Sequence, residues 1–308
     1  MRLFQRFLGM WIGIGVGGLC LKAAEPRLRV LASLPALYSW ASQVGGDRVQ
    51  VDRLLPTEAD PHLFQFRPRD LEVLRHADII LLNGAGLEDW LKASLEKQMP
   101  GSGGKIVEMA SGYPPSELIY PGDTESSPAG SKGANGPPNP HLWLDPVFAR
   151  HGVSNILQAF QKLAPESDAV FATNASRYLS QLRQLHEDYE AFRRPLHSPA
   201  MVTVHPAFSY LCQRYRIRLV GVLEETEGTE PGPRHLAALM GQIRSNHVST
   251  LFVEPHSPSR LALQLARDMK LTVAELDPLE TGVWSVDGYE EGMRSNLRTL
   301  TRQLQEKP

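Results

Sequence analysis

From Glu166 to Arg194 the chain runs without a proline or glycine, and Pro165 and Pro195 bound the stretch. Within it Val170, Tyr178, Leu182, Leu185, Tyr189 and Phe192 fall mostly three to four residues apart, the spacing that lines one face of an α-helix. At about 1.5 Å of rise per residue, a helix of this length spans the height of a domain. It therefore reads as a rigid strut between the N-terminal and C-terminal parts of the chain.

Both sides of the strut carry the same pattern. Short apolar runs at 28–32, 49–55, 78–82 and 106–109 alternate with helical segments at 37–44, 71–76 and 87–98. After the strut, apolar runs at 201–204, 219–222, 250–253 and 272–276 alternate with helical segments at 207–215, 233–246, 258–269 and 289–305. Short strands alternating with helices predict parallel sheets with crossover helices. The fold class is α/β: two halves, 25–164 and 195–308, each a parallel sheet flanked by helices, joined by the long helix 165–194. Residues 122–140 break the pattern, being rich in Gly, Ser, Pro and Asn with almost no apolar side chains. They read as a surface loop, either a solvated insertion or a flap.

The first 24 residues stand apart from this fold. Arg2 and Arg6 precede a mostly apolar run, 7–21, and Ala23 and Ala24 come next. That order is the signature of a secretory signal peptide, and the Gly-rich run is short against the about 20 apolar residues of a membrane span. Export to a periplasmic or extracellular space is implied. A lipid anchor at Cys20 is the lesser alternative, because Leu19 is bulkier than the small residue wanted before a lipidated cysteine. Once the signal is removed, Cys212 is the remaining thiol and has no partner for an internal disulfide. The 308 residues are 42% hydrophobic and 21% charged, a globular composition, and the net charge is −2. With no Lys/Arg cluster, nothing points to nucleic acid.

Four side chains sit where chemistry is expected. His62 follows Asp60-Pro61, and His141 follows Asn139-Pro140. His205 and Asp277 directly follow the apolar runs 201–204 and 272–276. In open parallel sheets, ligands bind beyond the carboxyl ends of strands. Three imidazoles and one carboxylate make a suitable four-ligand set for Zn²⁺, and a set closed in this way marks a binding or structural site, since a catalytic zinc usually keeps one position open. Each histidine taken singly is more often a surface residue or local hydrogen-bonder than a ligand, and the spacing forms no local metal motif.

Several segments together resemble one family, the zinc/manganese solute-binding proteins of ABC importers. They are Asp60-Pro61-His62-Leu63-Phe64, Pro140-His141-Leu142-Trp143-Leu144-Asp145-Pro146, Val202-Thr203-Val204-His205-Pro206-Ala207-Phe208 and Glu275-Leu276-Asp277-Pro278-Leu279. Asn83-Gly84-Ala85-Gly86-Leu87-Glu88-Asp89-Trp90 and Val253-Glu254-Pro255 match as well. The resemblance implies two lobes joined by one long helix, with His62, His141, His205 and Asp277 as ligands between them. It also implies a permease and ATPase as partners, a monomeric protein and no enzymatic activity. Histidine at position 205, where manganese-preferring members often carry Glu, leans the choice to zinc over manganese, as does imidazole donation itself. The 122–140 segment contains no histidine, so a metal-collecting loop is not implied. His256 reads as a surface residue or a fifth contact. Asp60, Asp145 and Glu254 are candidates for orienting the ligand imidazoles, although Asp60 and Asp145 equally suit caps or turns. The rival readings are a secreted metallohydrolase, which would need an open metal position, and a surface adhesin.

Overall fold

Strands β1 (Leu28–Ala32), β2 (Val49–Arg53), β3 (Ile79–Leu82) and β4 (Ile106–Glu108) form one sheet in the order β2-β1-β3-β4. Strands β5 (Ala200–Thr203), β6 (Arg218–Val222), β7 (Thr250–Val253) and β8 (Thr272–Glu275) form a second in the order β6-β5-β7-β8. All pairings are parallel. The two sheets thus repeat one topology without repeating a sequence. These features come from a computed structural model that describes residues 27–64, 71–98, 101–120, 136–225, 229–255 and 259–305. The signal-peptide segment with Cys20, most of the 122–140 loop and His256 lie outside the described residues.

The crossover helices arise from local chemistry. Helix α1 (Pro35–Gly45) opens on a proline, whose missing N–H is harmless in the first turn. It closes at Gly46 with φ of 55°, a backbone that disfavours a side chain. In β3 the run Ile-Ile-Leu-Leu is buried at every position, as a strand covered on both faces must be. Helices α2 (Leu71–His76) and α3 (Asp89–Gln98) complete the first sheet's crossovers. Helices α6 (Ser209–Arg214), α7 (Pro233–Ser245) and α8 (Arg260–Met269) serve the second. Among the described residues, no helix is long and apolar enough to cross a membrane.

Two long helices stand between the sheets in sequence. Helix α4 (Pro146–Leu163) starts with Asp145 as its cap, whose side chain accepts from the Val147 N–H. A 3₁₀ turn, Pro165–Ser167, then leads into α5 (Asp168–Arg193). The proline-bounded stretch is thus helical, but its first turn is tighter than the rest. Its buried face is Phe171, Ala175, Tyr178, Leu182, Leu185, Tyr189 and Phe192. Phe171 takes the inward place, and Val170 is only partly buried.

The last helix, α9 (Gly288–Leu304), packs on α1 and α5 as well as on β8. Tyr289 meets Trp40 edge to face at 5.2 Å, and Tyr189 Oη donates to Met293 O at 2.7 Å. The C-terminal segment therefore reaches back onto the first half while still packing on the second. One hydrophobic core runs through both halves, from Val30 and Trp40 to Phe252 and Leu300. Trp143 Nε1 donates to Pro278 O at 2.7 Å and Tyr289 Oη donates to Trp143 O at 2.8 Å, so the seam is pinned at buried positions.

Candidate metal centre

Four Asx-Pro pairs shape the loops at the seam, and all four do the same thing. Asp60 Oδ1 accepts from His62 N at 2.7 Å, and Asn139 Oδ1 from His141 N at 3.0 Å. Asp145 Oδ1 accepts from Val147 N, and Asp277 Oδ1 from Leu279 N, each at 2.8 Å. Proline removes the intervening N–H, and the Asx oxygen satisfies the next one, which turns the chain sharply. The first two turns present His62 and His141. The third starts α4. After the fourth, Leu279 adopts φ of 58°, and the next side chain, Glu280, enters the seam.

Support for His141 comes from the first sheet. Glu88 is fully buried just beyond β3 and accepts from Ser33 Oγ, Asn83 N and Gly84 N at 2.6–3.0 Å. Asn83, held there, donates its Nδ2 to Pro140 O at 2.8 Å. In the second sheet, His205 follows β5 and Glu254 follows β7. These are adjacent strands that lie where the strand order reverses, the usual ligand position in such sheets. Glu254 Oε1 is hydrogen-bonded to His205 Nδ1.

Glu280 Oε1 is the point on which the histidines converge. It lies 2.9 Å from His141 Nε2, 3.6 Å from His62 Nε2 and 3.8 Å from His205 Nε2. Among the described residues, His62, His141 and Glu280 form a group whose ligand atoms all lie within 4.8 Å of one another. His205 borders it. His141, His205 and Glu280 are each at most 4% exposed. The Nε2 atoms of His141 and His205 and Glu280 Oε1 are buried with no aligned hydrogen bond. Buried polar atoms without partners are costly, and this group becomes satisfied if a cation accepts all their lone pairs.

The electrostatics fit that arrangement. Burial disfavours a charge on Glu280, yet the imidazoles of His141, His205 and His62 outweigh it and hold the carboxyl well below its usual range. Burial pushes His141 down to about 4 despite the neighbouring Glu280. Burial also opposes protonation of His205, but the hydrogen-bonded Glu254 and the nearby Glu280 carboxylate override it and raise the group well above its ordinary value. The wider cleft, about 460 Å³, is lined by the carboxylates of Glu58, Asp60, Glu224, Glu254, Asp277 and Glu280 and by no described Lys or Arg. Such a wall concentrates cations.

The structure brings His62, His141 and His205 together, as the sequence suggests. At the fourth position, Asp277 lies on the wall of the same cleft, with its Oδ1 accepting from the Leu279 N–H in the Asx turn. The carboxylate among the converging atoms is that of Glu280, three residues on. Of the candidate orienting carboxylates, Glu254 does bond the His205 imidazole. Asp60 serves a turn, and Asp145 caps α4 and pairs with Arg214 at 2.8 Å.

Comparison with known proteins finds relatives named for zinc binding and zinc uptake. It is 26% identical over 288 residues to the zinc-binding protein AdcA of Streptococcus pyogenes, covering 90% of this chain and 56% of that protein. The chain thus spans little more than half the length of that relative. It is 26% identical to the high-affinity zinc uptake system protein ZnuA of Bacillus subtilis, covering 90% of this chain and 88% of that one. The structure of the solute-binding protein FpvC of Pseudomonas aeruginosa with Ni²⁺ superimposes with a TM-score of 0.78 at 27% identity, covering 91% of this chain and 98% of the other. The family model described as zinc-uptake complex component A, periplasmic, matches residues 30–303, nearly the whole chain, and the protein belongs to that family.

Proposed function

We propose that this protein captures a divalent transition metal outside the cytoplasm, zinc before manganese, and delivers it to the permease and ATPase of an ABC importer. The ligands in this reading are Nε2 of His62, His141 and His205 and a carboxylate oxygen of Glu280. The observation that carries it is the convergence of three imidazoles, two of them buried, on one buried carboxylate, with Nε2 of His141 and His205 and Oε1 of Glu280 lacking aligned hydrogen bonds. The names of the AdcA and ZnuA relatives support zinc, and so does the donor set. Three nitrogens and one oxygen suit tetrahedral Zn²⁺, whereas Mn²⁺ prefers more oxygen. Four protein ligands leave no open position for a substrate water, which disfavours a hydrolase. The protein acts as a monomeric carrier with no reaction of its own, and the signal segment accounts for its export.

The test is metal content by mass spectrometry on the purified mature protein, with competition titrations for Zn²⁺ and Mn²⁺. One tightly held zinc per chain supports the reading. A chain that holds neither metal refutes it, and one that holds manganese in preference to zinc refutes the choice of cargo.

A further inference from the structure

Asn139 touches ligand loops of both halves. Its Oδ1 accepts from His141 N at 3.0 Å and lies 2.8 Å from His141 Nδ1. Its Nδ2 donates to Pro206 O, the residue after His205, at 2.9 Å and reaches Ser209 Oγ at 3.4 Å. The backbone is fixed too: Asn139 N donates to Ile119 O at 2.7 Å, and Asn139 O accepts from Tyr210 Oη at 2.8 Å. The carbonyl of Pro206 can only accept, so the amide orientation is set, with Nδ2 toward the second half and Oδ1 toward His141. An acceptor facing Nδ1 requires the proton there, which leaves the lone pair on Nε2, the atom facing Glu280.

We propose that Asn139 is a positioning residue with two linked tasks. It fixes the tautomer and ring orientation of His141, and it ties that ring to the turn that carries His205. A metal is then held firmly only while the two ligand loops are in register. Glu254 has no such second task in this account, since it and His205 belong to the same sheet. The inference rests on the metal-site reading above.

The experiment compares the wild-type chain with Asn139→Asp and Asn139→Ala. Its readouts are the Co²⁺ absorption spectrum, zinc affinity by competition, and the rate at which a chelator strips zinc. Melting of the metal-free forms checks folding. Aspartate keeps the acceptor for Nδ1 but removes the donor to Pro206 O, and alanine removes both. Asn139→Ala is expected to lose affinity by about 10–100-fold, as other partners of ligand imidazoles do, and to change the Co²⁺ spectrum. Asn139→Asp is expected to keep the wild-type spectrum and to release zinc about 2–10-fold faster, the factor one lost neutral hydrogen bond represents. Wild-type affinity and spectrum in Asn139→Ala overturn the proposal. So does an altered spectrum or an unchanged release rate in Asn139→Asp, a comparison that decides the matter if the alanine variant does not fold. A wild-type chain that binds no metal overturns the site reading itself, whereas tight binding that both variants share overturns only the role of Asn139.

Discussion

In Glu280→Gln the side chain keeps its length and shape but loses its charge, and its amide nitrogen cannot coordinate. The group sits within 4 Å of all three imidazole Nε2 atoms, so a metal in their midst loses its anionic ligand. Loss of a partner that merely orients a ligand costs about 10–100-fold in affinity, which makes about 100-fold a floor for loss of a ligand. At saturating zinc that factor removes about 2.7 kcal/mol of metal-linked stability. Unfolding entropy is about 2.1 cal/mol/K per residue, or about 0.57 kcal/mol/K for a folded unit of roughly 270 residues. The rise in Tm that zinc produces should therefore shrink by about 5 °C. The assay is thermal melting with and without zinc, so that any change in the metal-free fold cancels. Asp277→Asn is the companion variant: it keeps the Oδ1 acceptor that Leu279 N needs and should leave the zinc-induced rise close to wild type. A full rise in Glu280→Gln together with a diminished one in Asp277→Asn would refute the reasoning.

Three further outcomes are expected from the same geometry. Burial holds His141 low, while Glu254 and Glu280 hold His205 high, so zinc should displace protons from the site at neutral pH and bind more weakly as pH falls. Calorimetry in buffers of different ionisation heat measures this, and binding without proton release would contradict it. Burial pushes Glu290 up to about 7 from an ordinary 4.5, so its carboxyl favours folding when protonated. Stability is full below the ordinary carboxyl range and declines as pH rises from there through about 7. Glu290→Gln should stabilise the protein by about 1–3 kcal/mol at pH 8 and by little at pH 4 in denaturant titrations; an equal effect at both would count against the burial argument. A Cβ at Gly152 would lie 2.7 Å from the Trp40 ring, so Gly152→Val should cost about 1–3 kcal/mol by overpacking where α4 meets α1. Unchanged unfolding would mean that this approach is looser than described.

The sequence makes the sheets legible because parallel strands covered on both faces are short apolar runs with little else they can become. Leu28–Ala32 and Thr250–Val253 are strands over the bounds their composition suggests, and Leu71–His76 is likewise helical as expected. The three histidines are legible through their neighbours, each beside a proline that fixes a turn or helix start. Glu280 is not, because its direction depends on Leu279 taking a positive φ, which no residue type at that position announces. Asp277-Pro278 does carry a readable signal. An Asp before Pro is prone to spend one oxygen on a backbone N–H, as Asp60 and Asp145 also do. Asn139 escapes notice for a related reason: the Asn-Pro pair reads as a turn, and its second partner, Pro206 O, comes from a loop 67 residues away. The return of α9 onto α1 is a tertiary choice, since its amphipathic pattern does not say which apolar surface it covers.

The central claim is that one metal ion sits among His62, His141, His205 and Glu280. Anomalous diffraction at the zinc edge, from crystals of the mature protein loaded with one equivalent of zinc, tests it most directly. The account predicts a single peak with Nε2 of all three histidines at about 2.0–2.1 Å and a Glu280 oxygen at about 2.0–2.2 Å. A peak coordinated by Asp277 with Glu280 turned away, or a peak elsewhere on the protein, would contradict it.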